Sequence, residues 1–178
     1  MATGFGPSAL ATPANAITVA RLLATPFVFA AVLAGAPSWW TLVLWILVAA
    51  SDGLDGWLAR RQGSTRSGAF LDPLSDKVLV LAALAALVAR SLFWWLPVAL
   101  IALREVLVSI WRSQAGRRGV SVPARQWAKA KTIVQEVAVG FALLPLANGL
   151  TVGKVVLWAS VALTLLTGLD YFRSPVSA

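Results

Sequence analysis

Asp52, Asp55, Asp72 and Asp76 are four of the chain's seven acidic residues, and they stand inside strongly apolar sequence. Each aspartate at the centre of a membrane helix costs about 2.5–3.5 kcal/mol, so four left unpaired would cost roughly 10–14 kcal/mol. Residues three or four apart share a helix face. Asp52 pairs in this way with Asp55, and Asp72 with Asp76. If the two helices pack antiparallel across the segment 60–68, both faces converge into one acidic cup. Two carboxylates about 4 Å apart repel by about 4 kcal/mol at an effective dielectric near 20, so the cup calls for cations. Two divalent ions would balance four carboxylates, and an all-oxygen ligand set suits Mg²⁺ or Mn²⁺. Such a pair can hold a diphosphate and stabilise the charge of an in-line displacement.

The neighbouring residues agree with that chemistry. Gly56 and Ala59 lie on the aspartate face and remove bulk, which lets a nucleotide approach the backbone. Arg60 follows one turn below Gly56, with a planar fork suited to phosphate oxygens. Thr65 and Gly68 fall in a short stretch that reads as flexible and able to close over a ligand. Two blander readings compete. Asp72 before Pro73 resembles a helix N-cap, and intramembrane carboxylates also serve ion paths. Neither explains the glycines and Arg60 together with two acid pairs.

The elements that position these residues follow from composition. The chain has 178 residues, 59% hydrophobic and only 12% charged, with a mean hydropathy of +0.80. A soluble domain carries about twice that charged fraction. The expectation is an all-α integral membrane protein, with six transmembrane helices in a single bundle. The spans run over Ile17–Leu33, Trp39–Ala59, Pro73–Ala89, Leu92–Trp111, Thr132–Leu146 and Thr151–Phe172. Residues 1–178 then form one membrane domain: a short cytoplasmic segment 1–14, the bundle 15–172 and a tail 173–178. The formal charge of +8 lies mainly between spans, which points to anionic lipid or a phosphorylated substrate rather than nucleic acid. With no Cys and no His, disulfides and thiolate metal sites are excluded, and any general base is a carboxylate or a lysine. Placing both termini in the cytoplasm collects nearly all basic residues on the inner side, leaving Arg90 and Lys154 outside. The aspartates then face the cytoplasm at a cell membrane. Trp39, Trp40, Trp94 and Trp95 mark the opposite interface.

The run Asp52-x2-Asp55-Gly56-x2-Ala59-Arg60-x7-Gly68-x3-Asp72-x3-Asp76 resembles the signature of the CDP-alcohol phosphotransferase family, eight residues at fixed spacing. The resemblance implies the six-span fold of that family, usually a homodimer, in which CMP is displaced from a CDP-alcohol by a second alcohol. It assigns Asp52, Asp55, Asp72 and Asp76 as metal ligands, Asp76 also as general base, and Gly56, Arg60 and Thr65 as CDP contacts. Beyond that signature, Asn15, Thr18 and Arg21 are similar to the opening of phosphatidylglycerolphosphate synthases. So are Leu71-Asp72-Pro73-Leu74-Ser75-Asp76-Lys77, Arg104-Glu105, Lys129-Ala130-Lys131-Thr132-x2-Gln135 and Thr167-Gly168-Leu169-Asp170-Tyr171. Together these stretches span most of residues 15–172. The sequence departs from that branch in having seven residues between Arg60 and Gly68, where many members have eight, and Ala128 where a glycine is common. The branch implies CDP-diacylglycerol as donor and glycerol 3-phosphate as acceptor, giving phosphatidylglycerol phosphate. For the acceptor's dianionic phosphate, Arg104, Arg112, Lys129 and Lys131 are the candidate basic residues. Rival acceptors are phosphatidylglycerol, giving cardiolipin, and an inositol phosphate. A small cation transporter is the rival from another class, and it leaves Gly56, Ala59, Arg60 and Gly68 without a role.

Overall fold

The computed structural model describes residues 12–62, 66–117 and 126–173. Among these it shows six α-helices and no strand: α1 (Pro13–Ala34), α2 (Trp39–Gln62), α3 (Arg66–Ala89), α4 (Trp95–Arg117), α5 (Gln126–Leu143) and α6 (Gly149–Arg173). The all-α expectation holds.

Local chemistry explains where several helices begin and end. Thr12 opens α1, its side chain accepting from the Asn15 N–H at 3.2 Å. Pro13 occupies the first turn, where a missing N–H leaves no bond unmade. Ser38 caps α2 reciprocally: its hydroxyl accepts from the Thr41 N–H at 3.2 Å, and Thr41's hydroxyl accepts from the Ser38 N–H at 3.2 Å. At the end of α3, Ser91 sits at φ 57°. Its N–H bonds the Val88 carbonyl at 2.8 Å and the Leu92 N–H bonds the Leu87 carbonyl at 2.9 Å, the paired pattern that terminates a helix through a left-handed residue.

The third helix corrects the sequence reading. It starts at Arg66 rather than at Pro73, and it runs through Pro73. Gly68 therefore belongs to a helix instead of a flexible stretch, and Asp72 is an interior residue, which removes the rival N-cap reading. An interior proline removes one backbone bond and crowds the preceding turn, a penalty of about 3 kcal/mol. At that turn the Thr18 hydroxyl on α1 donates to Asp72 Oδ1 at 2.8 Å.

Consecutive helices run antiparallel. α1 packs along both α2 and α3, which touch each other little, while α6 packs on α5 and α4. The α5–α6 crossing is tight. A Cβ at Gly153 would lie 3.0 Å from both the Ala138 carbonyl oxygen and the Ala142 nitrogen, so backbones meet there through small residues.

The interior divides along the bundle axis. One half is apolar, built from Val28, Val32, Leu84, Leu87, Ile101 and Leu157 among others. The other half buries Asn15, Thr18, Arg21, Ser75, Arg104, Glu105, Lys131, Gln135 and Thr164. Outside, Leu23, Phe27, Leu47 and Val155 are each more than 60% exposed. An apolar surface of that breadth is foreign to water and natural to lipid. Two stretches, Asn15–Ala34 and Gly149–Gly168, are long and apolar enough to cross a membrane, and most of each is not buried within the bundle. A shorter apolar stretch covers Trp39–Leu54. Charged side chains interrupt the remaining helices.

Candidate active site

Six helix ends surround the polar half: the starts of α1, α3 and α5 and the ends of α2, α4 and α6. On α1, Asn15, Thr18, Arg21 and Thr25 recur every three or four residues, so a single buried face points inward. That face meets one acid from each pair, Asp52 and Asp72. Arg21 Nη1 donates to Asp52 Oδ1 at 2.7 Å and to Ser75 Oγ at 3.2 Å, while its Nε donates to Ser51 Oγ at 3.1 Å. Thr18 holds Asp72 from the same face. Asp76 follows Asp72 by one turn of α3 and is partly buried.

Asp52 and Asp72 thus come together through α1, rather than by direct packing of α2 on α3. The Arg21 side chain is fully enclosed, whereas the Asp52 side chain keeps 48% of its exposure, so the acid end remains open to a ligand. Asp55, Gly56, Ala59 and Arg60 continue the helical backbone of α2, and Gly68 lies in the first turns of α3. The side chains of Asp55 and Arg60 are outside the described residues, as is Thr65 altogether. Among the described residues no group of three acids is gathered closely enough to hold a metal ion. The donor chemistry nonetheless fits a hard divalent cation. It consists of carboxylate and hydroxyl oxygens, and Asp52 already draws the Arg21 cation to itself.

A second cluster lies deeper, between α3, α4 and α5. Glu105 Oε1 accepts from Lys131 Nζ in a close ion pair and from Arg104 Nη1 at 3.1 Å, and Oε2 faces Lys77 Nζ at 3.6 Å. Arg104 is also fastened to α6: its Nε donates to the Thr164 carbonyl at 3.2 Å and its Nη2 to the Thr167 hydroxyl at 3.3 Å. The absent side chain of Gly168 makes room, since a Cβ there would stand 3.4 Å from Arg104 Cγ and Nε. Gln135 completes the α5–α6 contact by donating to Thr164 Oγ1 at 3.1 Å. Of the four candidate basic residues, Arg104 and Lys131 meet at Glu105. The side chains of Arg112 and Lys129 are outside the described residues.

Topology and resemblance mark Arg21, and resemblance marks Glu105, but neither gives them a partner, although each is a charge within an apolar run. That position alone demands a buried partner. Among the described residues, every buried side-chain nitrogen and oxygen has a hydrogen-bond partner.

Between α2 and α5 an apolar groove of about 430 Å³ opens to the outside, walled by Leu42, Trp45, Ile46, Gly140 and Phe141, with Glu136 among its lining residues. Trp45 anchors its floor, donating from Nε1 to the Glu136 carbonyl at 3.1 Å.

Comparison of the sequence with known proteins matches the chain to one family. A family model described as CDP-alcohol phosphatidyltransferase matches residues 11–166. A probable phosphatidylglycerophosphate synthase of Mycobacterium tuberculosis H37Rv is 41% identical over 174 residues, covering 93% of this chain and 82% of that protein. A CDP-diacylglycerol–glycerol-3-phosphate 3-phosphatidyltransferase of Rickettsia bellii is 33% identical over 168 residues, covering 90% of this chain and 93% of its own. The enzyme of the same name from Haemophilus influenzae is 32% identical over 167 residues, covering 88% and 89%.

Proposed function

The chain belongs to the CDP-alcohol phosphatidyltransferase family, and from that premise we propose that it transfers the phosphatidyl group of CDP-diacylglycerol to glycerol 3-phosphate, releasing CMP. The observation that carries this reading is the convergence of Asp52 and Asp72 on one buried face of α1. One acid from each pair is thereby tied to the same helix, which supports the reading that the two pairs act together.

In this reading Asp52, Asp55, Asp72 and Asp76 would hold two divalent cations, Mg²⁺ or Mn²⁺, which neutralise the acids and the donor's diphosphate. Gly56, Ala59, Arg60, Thr65 and Gly68 bind the CDP moiety. Asp76 takes the proton from the acceptor's primary hydroxyl. That oxygen attacks the β-phosphorus in line, the bond from phosphorus to the CMP oxygen breaks, and Arg60 stabilises the charge on departing CMP. The acceptor's phosphate lies toward Arg112, Lys129 and Lys131, with Arg104 bracing the far side of that cluster. The acyl tails run along the apolar groove between α2 and α5, whose outer walls suit hydrocarbon.

The six helices are read as six membrane spans with both termini and the acid end in the cytoplasm. The breadth of exposed apolar surface and the Trp residues at the opposite end support this: Trp39, Trp40, Trp94 and Trp95 are each at least half exposed. A homodimer in the cell membrane completes the proposal.

The test is CMP release by purified protein in micelles, with CDP-diacylglycerol, Mg²⁺ or Mn²⁺ and a panel of acceptors. Glycerol 3-phosphate is expected to support turnover above phosphatidylglycerol or inositol phosphate. Preference for either of those would replace the proposed acceptor, and absence of CMP release with every acceptor would remove the enzymatic reading.

A further inference from the structure

At the end of the bundle opposite the acid site, the α3–α4 corner and the first turns of α6 line a cavity of about 460 Å³. Its polar lining is made by Ser91, Trp94, Trp95, Lys154 and Trp158. The walls are fixed. The N–H groups of Ser91, Leu92 and Phe93 bond back to the last turn of α3. Trp94 packs against Trp95 and against Trp158 of α6, with ring centroids 6.4 and 6.2 Å apart. Buried Phe93 and Leu157 add apolar surface.

The chemistry of this lining is one-sided. An ammonium and three indole N–H groups only donate, and the Ser91 hydroxyl is the sole side-chain acceptor among the lining residues. Among the described residues no hydrogen bond or ion pair engages Lys154 or those three indole nitrogens. The chain's acids stand elsewhere. Gln135 and Arg104, neighbours in sequence of Glu136 and Glu105, meet α6 at Thr164, about 15 Å along the helix from Lys154. The other five acids lie further toward the acid end.

Lys154 stands among residues that suit lipid. It is flanked on α6 by exposed Val152 and Val155 and lies about 8 Å from the helix start, near enough for its ammonium to reach the membrane interface. Water can serve each of these donors singly, whereas one phosphate diester serves several at once. The apolar lining and the lipid-facing neighbours select a phosphate that carries acyl chains over a free ion. A site of this volume holds a headgroup, and the tails stay outside with the bilayer.

We propose that this cavity binds the headgroup of an anionic phospholipid, with Lys154 and the indoles of Trp94 and Trp158 on its phosphate, in the leaflet away from the acid site. The proposal rests on reading the six helices as membrane spans and is independent of the reaction.

Binding is read from the melting temperature of delipidated protein in neutral detergent micelles, titrated with phosphatidylglycerol or phosphatidylcholine. Lys154→Gln should weaken the apparent affinity for phosphatidylglycerol about fivefold, and Lys154→Arg should restore it. The affinity for phosphatidylcholine should change less than about twofold in Lys154→Gln. Because the acid site can also take phosphatidyl lipids, only this difference between wild type and variant is counted. Equal binding of phosphatidylglycerol by wild type and Lys154→Gln, or an equal loss for both lipids, would overturn the proposal. So would a stabilisation by inorganic phosphate alone that depends on Lys154, since the occupant would then be a free anion. CMP release by Lys154→Gln should stay within about twofold of wild type; a larger fall would place the lysine in the reaction instead. Protein that stays monodisperse without detergent would remove the membrane reading underneath. Protein that needs micelles yet binds both lipids alike in wild type and variant removes this inference alone.

Discussion

Replacing Arg21 by Met tests the junction on which the acid site is built. The substitution keeps most of the apolar stem and removes the guanidinium. Its bond to Asp52 is charge-assisted and short, at 2.7 Å, but the Asp52 side chain is 48% exposed. Water takes over part of that bond, so its loss amounts to about 1.5 kcal/mol. Ser75 is fully buried and loses its donor, which costs about 1–3 kcal/mol. Ser51 still donates to the Val48 carbonyl at 2.7 Å, so only about 0.5 kcal/mol follows there. The total is roughly 3–5 kcal/mol, the range found when one partner of a buried ion pair is removed. Unfolding of Arg21→Met by denaturant in micelles should shift by that amount, and kcat should fall at least about tenfold as Asp52 and the Ser75 turn of α3 lose their common anchor. Arg21→Lys should fall between, because an ammonium can reach Asp52 without forking to Ser51 and Ser75. A Met variant with wild-type stability and wild-type turnover would refute the reasoning, since the contact between α1 and both acid helices would then carry no weight.

Asp76→Asn should abolish turnover while partly preserving nucleotide binding, measured by CMP release and by CDP-diacylglycerol affinity in parallel; near-normal turnover would remove Asp76 as the base. Chelation by EDTA should reduce CMP release to background, with recovery on adding Mg²⁺ or Mn²⁺, and activity that persists in EDTA would deny the aspartates their metal role. Gly153→Ala places a Cβ 3.0 Å from backbone atoms of Ala138 and Ala142 that cannot easily yield. It should destabilise the protein by about 1–3 kcal/mol, with Gly153→Leu worse. Unchanged melting of the Leu variant would show that the α5–α6 contact is looser than the structure places it.

Much of the fold was legible because lipid imposes simple patterns. Apolar runs, Trp pairs and basic interhelical segments marked six helices, and α1 and α2 begin near where those patterns place them. The start of α3 was not legible. Asp72-Pro73 reads as a helix beginning by local rules, whereas α3 continues through the proline, with Asp72 held by Thr18 on α1. The acid pairs were legible from spacing, since three and four residues define a helix face whatever surrounds it.

Spacing along one chain says which residues share a face, and it determined that this protein carries two acid pairs with a neighbouring arginine and small residues. It is silent about what lies opposite that face. That Arg21 and Thr18 on α1 would draw Asp52 and Asp72 together, and that Glu105 would join Lys77, Arg104 and Lys131 from three helices, was decided by packing. A charge within an apolar run announces that it needs a partner, but several partners of the right sign stand at similar depth. Only the crossing of whole helices brings one of them within hydrogen-bond distance.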